Sequence, residues 1–89
     1  MLEISLMLTI STAHISERTA IMLKCTSEEL DIPIYTMGEC GWLVYVSSEF
    51  TSPFEDLNEI AAFARQHNCT WVRLDPDGHI IDDLLVYDW

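Results

Sequence analysis

Residues 2–10 alternate without a break. Leu2, Ile4, Leu6, Leu8 and Ile10 fall on one side, and Glu3, Ser5, Met7 and Thr9 on the other. A strand presents successive side chains to opposite faces, so this pattern predicts a half-buried β-strand. The period then changes at "ISERTAIMLK". Ser16 suits a helix cap, Glu17 suits the positive helix end, and Ile15 is placed to staple onto Ala20. A first helix is expected over about 16–28.

"IPIYTM" and "GWLVYVS" are rich in β-formers and flank Gly38-Glu39-Cys40-Gly41, which reads as a hairpin. The second arm is apolar at both parities from Trp42 to Val46, as an interior strand should be. "SPFEDLNEIAAFARQHN" predicts a second helix. Ser52 is its expected N-cap, Pro53 its first residue and Glu55 the other half of a capping box. Leu57, Ile60, Ala61 and Ala64 form the stripe to be buried, and the helix should end near His67-Asn68. "TWVRL" reads as a strand, "DPDG" as a turn, and "HIIDD" and "LLVYDW" as short β segments. The order β-α-β-β-α-β-β predicts one α+β domain over residues 1–89. Its sheet should be mixed or antiparallel with both helices on one face, close to the split βαβ plan.

Composition sets the scale. A chain of 89 residues, 49% of them apolar, makes one small globular domain. Its radius of gyration should be roughly 12 Å and its folded surface roughly 5,000 Å². No apolar run approaches the ~18 residues of a membrane span. "MLEISLMLTIS" has no basic leader region and no small-residue cleavage site, so a cytoplasmic protein is expected. Cys25, Cys40 and Cys69 are odd in number and form no C-x-x-C pair, which fits reduced thiols better than a disulfide framework.

Charge changes the picture most. Fifteen carboxylates face four basic residues, Arg18, Lys24, Arg65 and Arg73, for a net charge of −11. Such a chain is repelled by nucleic acid and by anionic membranes and attracted to basic protein surfaces. The carboxylates come in three groups. Glu28, Glu29 and Asp31 follow the first helix; Glu55, Asp56 and Glu59 open the second; Asp75, Asp77, Asp82, Asp83 and Asp88 lie near the end. Duplex DNA carries roughly 18 charges over a 30 Å length. The protein can imitate that only where its acids share a face. Glu55, Asp56, Glu59, Asp75, Asp77, Asp82 and Asp83 are therefore the candidate partner-binding residues. The plain alternative is that the acids complement a helix start, occupy turns and confer solubility, in a small interaction module or homodimeric subunit.

Other chemistry is weakly signalled. "DPDG" followed by Asp82 and Asp83 departs from the calcium-loop pattern, because its glycine comes too early and Val86 stands where the closing glutamate belongs. It is better read as a tight turn, with Gly78 taking a positive φ. "HNC" puts His67 and Cys69 near a helix end without a four-ligand set. No cysteine has basic neighbours to activate it, and no phosphate loop or hydrolase motif occurs. The expectation is a protein without catalytic residue, metal or cofactor; a third reading, an enzyme acting through a cysteine or carboxylate, would need a concave pocket with a cysteine beside a histidine. Trp42, Trp71 and Trp89 are expected in the core, although Trp89 could also cover a sheet edge or a partner.

"LTISTAHISERTA", "GWLVYV", "ARQHNCTWVRLD-x-DG" and the final "VYDW" resemble a family of small domains of unknown function found in bacterial genomes, phages and other mobile elements. The resemblance covers nearly the whole chain, and "STAHI" and "YDW" are its more specific parts. Two positions depart from the family pattern: Pro76 replaces a basic residue, and Leu85 replaces a proline. The first makes this chain more acidic. The resemblance carries over no catalytic residue. The setting it implies is one where small acidic proteins inhibit host defence, as anti-CRISPR proteins and other DNA mimics do. The expected partner is then a basic protein surface, such as that of a CRISPR effector subunit, with no direct nucleic-acid or membrane binding.

Overall fold

A computed structural model describes residues 2–26, 32–38 and 41–89. The chain runs β1 (Met7–Ser11), a 3₁₀ turn (Thr12–His14), α1 (Glu17–Thr26), β2 (Ile34–Met37), β3 (Gly41–Tyr45), α2 (Glu55–Gln66) and β4 (Trp71–Asp75). The radius of gyration is 12.3 Å. The exposed surface, 5999 Å², exceeds the roughly 5,000 Å² of a compact chain this size. Leu2, Ile4, Leu6 and Met7 before and at the start of β1, and Ile80, Leu85, Val86 and Trp89 beyond β4, are among the large apolar side chains that stand open.

The sheet order is β1-β4-β3-β2. β4 pairs parallel with β1 and antiparallel with β3, and β3 pairs antiparallel with β2. β1 and β2 therefore run parallel at opposite edges, with the other two strands between them. This is the α+β, mixed-sheet, split arrangement expected from the pattern.

Two cross-sheet rows face the helices. One is Leu8, Val72, Val44 and Ile34; the next is Ile10, Leu74, Trp42 and Thr36. Ile15, Ala20 and Leu23 from the α1 side and Leu57, Ile60, Ala61 and Ala64 from α2 complete the core. Both helices thus cover one face, because each has one apolar stripe to bury.

Several boundaries differ from expectation. β1 begins at Met7, leaving Leu2, Ile4 and Leu6 85%, 80% and 54% exposed. Alternation makes a segment amphipathic, but here no neighbouring element covers its apolar side. Helix α1 starts as expected: the Ser16 hydroxyl accepts from Thr19 N at 3.1 Å. Helix α2 does not. Its N-cap is Phe54, and Ser52 instead forms a knot with Asn58, its N–H and hydroxyl both donating to Asn58 Oδ1 at 2.9 Å. The knot holds the chain before the helix without capping its first amides.

The end of α2 explains "HNC". Asn68 adopts φ 62, Cys69 N donates to Ala64 O at 2.9 Å, and Asn68 N donates to Arg65 O at 3.0 Å. That pair of bonds is a Schellman cap with asparagine in the left-handed position.

The turn after β4 is present: Gly78 N donates to Asp75 O, and Asp77 N to Asp75 Oδ1, both at 2.9 Å. Gly78 does not take a positive φ, however. It is needed because a Cβ there would stand 2.5 Å from the Ile10 carbonyl. Beyond it, "HIIDD" and "LLVYDW" form no strand. His79 makes a single bridge to Ile10, and the rest is an irregular tail. The expected hairpin turn at 39–40 and the expected end of α1 at 27–28 lie outside the described residues.

Candidate functional site

The tail gets its place from hydrogen bonds, since it has no strand ladder. Ser11 N donates to His79 O at 2.9 Å, and Tyr87 N to Ala13 O at 2.8 Å. His14 is 2% exposed. Its Nε2 accepts from Ile81 N at 2.8 Å, so the ring proton sits on Nδ1, which donates to Leu85 O at 2.8 Å. Trp89 Nε1 donates to Ile15 O at 2.9 Å. "STAHI" and "YDW", far apart in sequence, are the two halves of one docking joint.

That joint lays the tail alongside α2. Glu59, Ala62, Phe63, Gln66 and His67 from the helix, with Asp82, Asp83, Leu84 and Leu85 from the tail, line a groove of about 640 Å³. Three carboxylates from two of the sequence groups share it, and no lysine or arginine lines it. Its lining includes Phe63, whose ring meets that of His67 in a tilted contact with centroids 4.7 Å apart. One turn back along α2 is exposed Glu55, beside a second hollow of about 490 Å³ that Tyr87 borders. Burial raises the Tyr87 phenol above its usual value of 10.0, and the negative charges of Asp56, Glu59 and Glu55 raise it further. The tail's last turn therefore lies within the field of the carboxylates that open α2. Glu59, Asp82 and Asp83 thus share the acidic groove, while Glu55 lines the neighbouring hollow together with Arg18.

The remaining candidates are placed elsewhere. Asp56 is buried. Its carboxylate accepts from Ser16 N at 2.8 Å, from the Thr19 hydroxyl at 2.8 and 3.0 Å, and from Leu57 N at 2.9 Å. It ties the start of α1 to the start of α2 and presents no free charge to a partner. The signal was available: Asp56 lies four residues before Ile60, on the buried side of the helix. Asp75 holds its turn and pairs with Arg73 at 3.1 Å, and Asp77 is exposed beyond it, away from the groove lining. Glu28, Glu29 and Asp31 lie outside the described residues.

Of the tryptophans, Trp42 is buried and Trp89 is 53% exposed. Trp71 is half-buried on the face of the sheet away from the helices, with Tyr45 at 5.0 Å in an edge contact and Tyr35 at 6.4 Å. Cys69 is a free, half-buried thiol; its Sγ lies 3.7 Å from the His67 carbonyl oxygen. Cys40 and the Cys25 side chain lie outside the described residues. Among the described residues, no three His, Cys, Asp or Glu side chains gather as a metal-ligand set, and no helix is long and apolar enough to cross a membrane.

Fold and surface together define a small α+β domain with an acidic groove where α2 meets the C-terminal tail. Residues 7–89 match the model described as "Family of unknown function (DUF5983) C-terminal domain", and the chain belongs to that family. No curated protein and no solved structure matches it.

Proposed function

We propose that this domain is an inhibitor acting by stoichiometric protein binding, with no chemical step and no cofactor. Its acidic face occupies a basic surface that a partner uses to hold nucleic acid. A defence complex is the intended target, in the manner of an anti-CRISPR DNA mimic on an effector subunit. The observation that carries the reading is the groove: Glu59, Asp82 and Asp83 converge there from distant segments, with His67 but no lysine or arginine in the lining. Steering by such a face raises association rates, and Phe63, Leu84 and Leu85 in the lining give an arginine or lysine stem somewhere to pack.

The test is capture of partners from a cell lysate with the tagged domain, followed by competition. The expected partner binds nucleic acid itself and is released by duplex DNA. A partner retained at saturating duplex DNA counts against mimicry and favours the simpler reading, an interaction module whose acid only keeps it soluble.

A further inference from the structure

Among the described residues, no helix or further strand covers the face of the sheet opposite the helices, although Ser11 and Gly41 at one end of it are buried. Its side chains stand in three cross-sheet rows. The first is Met7, Trp71 and Tyr45; the second Thr9, Arg73, Leu43 and Tyr35; the third Ser11, Asp75, Gly41 and Met37. Met7 is 48% exposed, Tyr35 56%, Tyr45 39% and Met37 38%. Among these residues the charges are Arg73 and Asp75, and they neutralise each other at 3.1 Å.

An aromatic platform on a four-stranded sheet suggests two occupants. Single-stranded nucleic acid stacks on such platforms, but it also needs a basic frame along its backbone. That frame is missing. Arg18 and Lys24 belong to α1, on the other side of the sheet; Arg65 reaches from α2 only to just beyond the end of β3, where its guanidinium donates to Ser47 O at 3.1 Å, and Arg73 is paired. A second copy of this chain meets the opposite condition. Two bodies of net charge −11 repel each other, so they can associate only through a surface that carries no net charge. The three rows form such a surface, and Met7, Tyr35, Met37, Tyr45 and Trp71 give it an apolar and aromatic part beside Thr9 and the paired Arg73 and Asp75.

We propose that the uncovered sheet face is the interface of a symmetric homodimer. The faces pack sheet to sheet about 10 Å apart, with the Tyr45–Trp71–Tyr35 cluster at the centre. Four short strands present roughly 19 by 17 Å. Two such faces amount to about 650 Å² in projection, and side-chain relief raises the accessible area buried toward about 1,000 Å², the size of weak, transient interfaces, so the dimer is a weak one. The acidic groove stays open on each copy, because it lies on the helix side. The proposal stands independently of the inhibitor reading.

Salt separates the two surfaces. Screening weakens attraction between the acidic groove and a basic partner, but it relieves repulsion between two acidic copies. Sedimentation velocity over a concentration series is therefore run at low and high salt on the wild type, Tyr35→Glu and Glu59→Gln, with each fold checked by its melting curve. The expected result is a wild-type dimer that tightens with salt. Tyr35→Glu should weaken it at least about tenfold, as loss of an aromatic anchor does, and Glu59→Gln should preserve it. A wild type that stays monomeric at several hundred micromolar overturns the proposal. So does a Tyr35→Glu dimer of unchanged affinity. Micromolar binding of a single-stranded oligonucleotide that Tyr35→Glu abolishes assigns the face to nucleic acid instead.

Discussion

The indole N–H of Trp89 donates to the carbonyl of Ile15 at 2.9 Å, across 74 positions of chain. Near it, the ring of His14 bonds to both Ile81 and Leu85. These contacts decide where Asp82 and Asp83 lie. His14→Ala removes both ring bonds and strands the Ile81 N–H, which should cost about 2–3 kcal/mol. Trp89→Phe loses one bond and should cost about 1 kcal/mol. Hydrogen exchange checks the location of the damage: Ile81 and Tyr87 amides should exchange faster in His14→Ala, while Val72 and Leu74 follow the global stability.

Asp56 and Glu59 lie on one helix and should behave oppositely. Asp56→Ala strands Ser16 N and the Thr19 hydroxyl and should destabilise the fold by about 3 kcal/mol. Glu59→Gln changes an exposed charge in an acidic neighbourhood and should leave the melting temperature unchanged or slightly raised. Thermal melts of the two variants make the comparison.

The two glycines of turns should also differ. Gly38 has φ 68 with open space around it, so Gly38→Ala should cost about 1 kcal/mol. At Gly78 a Cβ meets Ile10 and Ser11 backbone within 2.5–2.8 Å, and neither strand nor tail can move without breaking the Ser11–His79 bond. Gly78→Ala should cost about 3 kcal/mol or more. Denaturant unfolding midpoints measure both.

Tyr87 reports on the gathering of charge. Its phenol is raised by burial first, then by Asp56, Glu59 and Glu55. The folded state therefore holds the phenol proton more tightly than the unfolded chain does. The sign follows: the stability Tyr87 contributes is fully present below pH 10.0 and is lost as pH rises through the higher folded value. Ultraviolet titration of the wild type against Tyr87→Phe isolates this phenol. Glu59→Gln should move its titration down, toward 10.0. An unmoved titration would show that Glu59 and the tail do not share a field.

The fold was legible where each segment's pattern matched its neighbours. The α2 stripe from Leu57 to Ala64, the doubly apolar β3 and the DPDG turn all carried their own instructions. The tail did not. Ile80, Ile81, Leu84 and Val86 have strand-forming side chains, but the tail's bonds go to the His14 ring, to Ala13 O and to Ser11 N, partners that no local pattern names. The acidic groove was hidden for the same reason, since Glu59 and Asp82 become neighbours only after the tail docks. The open sheet face was half legible. The apolar residues at both parities of β3 predicted an interior strand, but helices cover one side only.

The central claim is that the groove's carboxylates act at a distance on a basic partner. Glu59→Gln, Asp82→Asn and Asp83→Asn combined leave every hydrogen bond of the docking joint in place. Association kinetics of this triple variant and the wild type with the captured partner, measured at several salt concentrations, test the claim most directly. The variant should associate at least about tenfold more slowly at low salt, with a flatter dependence on ionic strength and an unchanged melting temperature. Association at the wild-type rate at every salt concentration would contradict the claim and leave the acidic face as a solvating surface.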